Sequence, residues 1–328
     1  MSDRYPQLLR TERHRWWKPL LGLAVAALTL ILGSIAVVLA AAAIAALVGV
    51  DNPFSDEAMS ADTPLGLAGT NLSIAMIIPA VLLAVVAIHR TRVGWLSSVE
   101  ARLRWALLGR IFPLALVLVV LFFAATFLVP PAGFGDIDAP PGSRLVALLA
   151  VILLTTPLQA AAEEYGFRGY LTQSIGSWFG RAEVGTVVAA AVTGLLFALA
   201  HGVQDACLFG DRLAFGLVAS WLAWRTGGLE APIALHIANN LVSLVYSAAT
   251  GSLEESLSAT DLDWPYAVLD LAMMLVFALV IARLADRWHL RVRRAAGVAG
   301  AAYGVGAPGA LSGPPAVGYP DVRSDYPS

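Results

Sequence analysis

Eight stretches of this chain are each apolar over roughly the length that a membrane crossing demands, and this decides most of what it can fold into. A helix needs about 20 apolar residues to span the hydrocarbon core of a bilayer. Runs of that kind lie near residues 20–48, 65–88, 107–129, 146–172, 183–205, 210–225, 230–249 and 265–283. Of the 328 residues, 58% are hydrophobic and only 13% are charged, with a mean hydropathy of +0.74. That balance excludes a soluble domain and predicts an all-α, polytopic membrane bundle of about eight transmembrane helices. The first run is too long for a signal-peptide core of about 7–15 residues and is expected to stay as a helix.

Arginine and lysine report sidedness, because cytoplasmic loops carry the excess of positive charge. Arg4, Arg10, Arg13, Arg15 and Lys18 precede the first run, and Arg90, Arg92, Arg102, Arg104 and Arg110 follow the second. Arg181 follows the fourth, Arg225 the sixth, and Arg283, Arg287, Arg291, Arg293 and Arg294 the eighth. The alternate loops, DNPFSDEAMSADTP, PPAGFGDIDAPPG and GSLEESLSATDLD, are acidic or proline-rich. Both termini are therefore expected in the cytoplasm, with the protein in the cell membrane. Residues 1–19 form a basic N-terminus whose RTERHRWWK suits entry into an anionic leaflet. The bundle covers 20–294, and 295–328, rich in Gly, Ala and Pro, is expected to be a disordered cytoplasmic tail. A net charge of −2 gives no sign of a nucleic-acid partner, and the single cysteine, Cys207, allows no internal disulfide and no thiolate metal cluster.

Ionisable side chains within a span are costly and mark functional candidates. They are Glu163, Glu164 and Arg168 in AAEEYGFRGY, His201 closing FALAH, and His236 with Asn239 and Asn240 in HIANN. Glu164 and Arg168 are four apart, so one helical face can hold them as an ion pair. Glu163 points about 100° away and is left over, the condition under which a carboxylate serves as a general base. His236 and Asn240 also stand four apart on one face. Glu163 lies about 17 residues before, and His201 about 21 after, the turn SWFGRAE, so a hairpin sets them at similar depth. His236 sits roughly 13 Å beyond the turn RTGGL at 1.5 Å per residue. The three groups meet if the first turn protrudes about 10–15 Å from the membrane.

EEYGFRGYL, FALAH and HIANN together resemble the motifs EExxxR, FxxxH and HxxxN of the CPBP intramembrane proteases, the CAAX-protease or ABI family that includes the Ras-converting endoprotease. The resemblance covers roughly 145–250, the expected protease core. It implies an endopeptidase acting on a membrane-associated peptide, lipidated in the CAAX case, from a site open to the cytoplasm. Glu163 would activate water with help from His201, His236 and Asn240 would stabilise the oxyanion, and Glu164 and Arg168 would orient the base. The family is commonly labelled metalloprotease, and Glu163, His201 and His236 could ligate zinc. With no thiolate and no HExxH or HxxxH pair, a metal-free glutamate mechanism is favoured and no cofactor is expected. A proton-coupled transporter using the same residues as a relay, a haem protein with the two histidines as axial ligands, and a non-catalytic scaffold or bacteriocin-immunity protein on the same fold are the competing classes.

Overall fold

The computed structural model describes residues 4–129 and 137–294; the expected tail and the PPAGFGD part of one loop lie outside the described residues. Each apolar run forms a helix: α1 Lys18–Leu47, α2 Pro64–His89, α3 Trp105–Thr126, α4 Gly142–Ser177, α5 Ala182–Leu199, α6 Ala206–Thr226, α7 Glu230–Thr250 and α8 Trp264–Arg287. No strand occurs among the described residues, and the chain is a multi-pass membrane bundle. Leu28, Ile31, Leu32 and Ile35 on α1, like Leu153 and Leu154 on α4 and Val187 on α5, point outward, as lipid-facing positions do.

Two helix boundaries differ from the sequence expectation. Helix α4 continues to Ser177, and its YGFRGYL stretch, Tyr165–Leu171, widens into a π-helix immediately after the two glutamates. Such insertions within α-helices recur at functional sites. Helix α5 stops at Leu199 rather than near 205, because Gly202 takes the left-handed conformation at φ +82° and turns the chain out of the helix. His201 consequently lies in a turn just past the end of α5 rather than within a span.

Helix α7 is the most enclosed span, 44% buried, against 17% for α1 at the periphery. It packs on α4, α3 and α6, while α4 also packs on α2, so α4 and α7 form the central pair. Helices α5 and α6 approach closely where Gly216 meets Gly194: a Cβ on Gly216 would lie 2.7 Å from the Gly194 backbone. Small residues at a crossing allow this backbone approach within a membrane. Ile111, Phe197, Phe215, Leu222, Leu235, Met274 and Phe277 belong to the largest buried cluster, which joins α3, α5, α6, α7 and α8.

The N-terminal segment is packed as well as basic. Tyr5, Leu8 and Leu9 are buried, the Tyr5 hydroxyl donates to the Leu96 carbonyl, and Gln7 Nε2 donates to the Phe179 carbonyl at 3.2 Å. The Trp178 indole donates to the Trp16 carbonyl at 2.8 Å. A backbone bridge joins Arg4 to Arg293, so the two ends of the described chain meet at one end of the bundle, as an even number of crossings requires.

Candidate active site

Helix α4 brings Gln159, Glu163, Glu164 and Arg168 to the centre of the bundle, and α7 brings His236 and Asn240 against them. Pro157 lies inside α4 two residues before Gln159, where its missing N–H interrupts the ladder ahead of this polar segment. The polar side chains then find partners across the α4–α7 contact, as burial demands.

Glu164 and Arg168 form the expected pair, Arg168 Nη1 donating to Glu164 Oε1 at 2.8 Å with both side chains fully buried. The guanidinium is also roofed by aromatic faces, with Phe197 4.3 Å, Phe215 5.5 Å and Phe167 5.9 Å from its carbon. Cation–π attraction of this kind strengthens where water is excluded. The same Glu164 Oε1 lies 2.8 Å from His236 Nδ1. Its role is therefore wider than neutralising Arg168, because it also holds the imidazole from α7.

Glu163 faces differently. Its Oε1 accepts a hydrogen bond from Gln159 Nε2 at 2.6 Å, and its Oε2 lies 3.5 Å from His236 Nε2. That Oε2 is buried and has no hydrogen-bond partner. His236 thus stands between the two carboxylates, with Nδ1 toward Glu164 and Nε2 toward Glu163. Asn240, one turn further along α7, donates from Nδ2 to Gln159 Oε1 at 3.1 Å. Asn239 is rotated by about 100° from it and stays outside this chain of contacts.

His201 reaches the same cluster through aromatic rings. Its ring packs edge-on against Phe197 at 4.7 Å, and Phe197 in turn packs against His236 at 5.9 Å. Its Nδ1 lies 2.8 Å from the Phe197 carbonyl. A carbonyl only accepts, so Nδ1 carries the proton and, in the neutral ring, Nε2 is left as an acceptor. The carboxylate of Glu163 is close enough to act on this imidazole electrostatically.

Residues 145–242 match the family described as Type II CAAX prenyl endopeptidase Rce1-like. The resemblance drawn from the three motifs is borne out over that segment, and the matched family is one of endopeptidases. An uncharacterized protein of Bacillus subtilis (strain 168), YyaK, is 26% identical over 204 residues, covering 60% of this chain and 67% of that protein. Among solved structures, none matches. The Rce1-like segment holds every residue singled out from the sequence, from Glu163 to Asn240.

A zinc site would need three protein donors around one position with a fourth left open. Among the described residues, no three His, Cys, Asp or Glu side chains are grouped to hold a metal ion. His236 directs both ring nitrogens at carboxylates, and His201 directs Nδ1 at a carbonyl. Glu163, His201 and His236 do not form that donor set here.

Sequence reasoning missed Gln159, although a polar residue four before Glu163 in an apolar run was the available signal. It also missed Arg104 and Glu230. Glu230, fully buried at the start of α7, accepts from the Arg104 backbone N–H at 2.8 Å, from Nε at 3.0 Å and from Nη2 at 2.6 Å. This fork-like pair, together with the backbone bonds Val99 N to Gly227 O and Leu229 N to Ser97 O, ties the start of α7 to the segment before α3. His236 lies six residues, about 9 Å, beyond that anchor.

Proposed function

We propose that this protein is an intramembrane endopeptidase that hydrolyses a peptide bond of a membrane-associated peptide with a water activated by Glu163. The observation that carries the reading is the buried, unpartnered Glu163 Oε2 facing His236 Nε2 at 3.5 Å, a carboxylate oxygen with a free acceptor position beside a second titratable group. Glu163 takes a proton from water as the oxygen bonds to the scissile carbonyl carbon. His201 Nε2 accepts the second water proton in a hydrogen bond and helps orient the attack. The carbonyl oxygen, now an alkoxide, is held by the free N–H of Asn240 and by His236, which donates from Nε2 once its ring carries both protons, Nδ1–H staying on Glu164. The C–N bond then breaks, and the proton held by Glu163 passes to the departing amine.

Glu164 and Arg168 position rather than react: the carboxylate fixes the His236 ring, and the guanidinium compensates the carboxylate's charge. No metal enters these steps. The arginine-rich loops support a site open to the cytoplasm, with both termini on that side. The prenylated CAAX peptides named for the matched family are the first substrate class to try.

The test compares Glu163→Ala and His201→Ala with wild type by mass spectrometry of membrane-peptide C-termini, in cells with matched levels of folded protein. Both variants are expected to accumulate the same uncut peptide. Identical C-terminal profiles in all three strains would overturn the peptidase reading.

A further inference from the structure

We propose that Gln159 is a positioning residue that couples the base to the oxyanion donor, a role resting on the assignment of Glu163 and Asn240 above. Gln159 is a neutral amide, 8% exposed, set one helical turn before Glu163 on α4. Its Nε2 donates to Glu163 Oε1 at 2.6 Å and its Oε1 accepts from Asn240 Nδ2 at 3.1 Å. Chemistry fixes this orientation. An ionised carboxylate can only accept, so Gln159 presents its nitrogen to Glu163 and its oxygen to Asn240, and that oxygen in turn selects the Asn240 nitrogen.

Three side chains on two helices therefore form one directed chain, Asn240 to Gln159 to Glu163. At the Glu163 end, donation from Gln159 occupies Oε1 and leaves Oε2 as the oxygen that takes the proton from water. At the Asn240 end, one amide N–H is spent on Gln159, so the other is directed away from it and is free for an alkoxide. Neither a hydrophobic residue nor a carboxylate at position 159 performs both tasks. A hydrophobe gives no donor to Glu163, and an ionised carboxylate places a second negative charge beside it. The charged and titratable groups that act on Glu163 are Arg168 on α4, His236 from α7 and His201 from the turn beyond α5, while Glu164, its chain neighbour, points to another face. The hydrogen bond to Oε1, at 2.6 Å, comes from Gln159.

The test needs no substrate. Purified full-length protein in detergent is treated at pH 7 with dicyclohexylcarbodiimide, an apolar reagent that modifies protonated carboxyl groups, and adducts at Glu163 and Glu164 are counted separately by mass spectrometry. Gln159→Met keeps the side-chain length and removes both polar contacts. Glu163 modification is expected to rise about three- to tenfold in Gln159→Met, with Glu164 unchanged. It is expected to rise also in Asn240→Leu, which unties the far end of the amide, and the double variant should exceed neither single variant by more than about twofold. Equal Glu163 labelling in wild type and Gln159→Met overturns the proposal. So does a joint rise at Glu163 and Glu164, which signals general loosening, and so does a multiplicative double variant. If membrane C-termini are unaffected by Glu163→Ala while labelling behaves as expected, the peptidase reading fails and the coupling of the three side chains stands.

Discussion

The two adjacent carboxylates should not be interchangeable, and their truncation separates them by stability before any activity is measured. Glu164→Ala removes the counterion of Arg168, whose side chain is fully buried, and also the partner of His236 Nδ1. Removing one member of a buried pair strands the other charge, at a cost of about 3–5 kcal/mol. At about 2–4 °C per kcal/mol for a domain of this scale, the midpoint should fall by about 6–20 °C. Glu163→Ala is different. It strands no fully buried charge: it loses one charge-assisted hydrogen bond, from Gln159 at 2.6 Å, and, as Glu164→Ala also does, removes a buried oxygen that has no partner. Each effect is about 1–3 kcal/mol and they oppose one another, so the net should lie within about 2 kcal/mol and 8 °C of wild type. Thermal unfolding of both variants in the same micelles, read by near-ultraviolet dichroism, decides the matter. Melting curves that coincide, or a Glu163 variant less stable than the Glu164 variant, would refute the division between a paired and an uncompensated carboxylate.

Two further outcomes test what surrounds the site. Glu230→Ala, which strands Arg104 at the start of α7, should cost about 3–5 kcal/mol and lower peptide cleavage although Glu230 touches no reacting group; Glu230→Gln, which keeps an acceptor for the backbone N–H of Arg104, should lose less on both the melting and cleavage readouts. Exhaustive chelation, monitored by elemental analysis until less than one metal remains per chain, should leave cleavage unchanged; loss of cleavage that added zinc restores would sink the metal-free mechanism.

The spans were legible because hydropathy over about 20 residues is a local property that the bilayer enforces on each segment separately. The Glu164–Arg168 pair was legible for a similar reason, since spacing by four fixes a contact along one helix. What the spacing could not show was the partner across the interface. Glu164 was expected to serve Arg168, yet it also holds His236, and that second contact exists only because α7 packs on α4. The same holds for Gln159, one polar residue in an apolar run until Asn240 is brought to it, and for Arg104 and Glu230, which are 126 positions apart in the chain. The end of α5 was misjudged because hydropathy continues through Gly202 while the backbone does not.

By itself, the sequence determined a helical, multi-pass membrane chain and the set of polar side chains that lipid would not tolerate alone. Those follow from residue solubility and helix periodicity, which need no knowledge of neighbours. The tertiary structure decided which of those polar groups satisfy one another: His236 between two glutamates, Gln159 between Glu163 and Asn240, and the second oxygen of each glutamate left without a hydrogen-bond partner. Hydrogen bonds between helices depend on distances of a few ångströms and on donor direction, and only the packed bundle sets either.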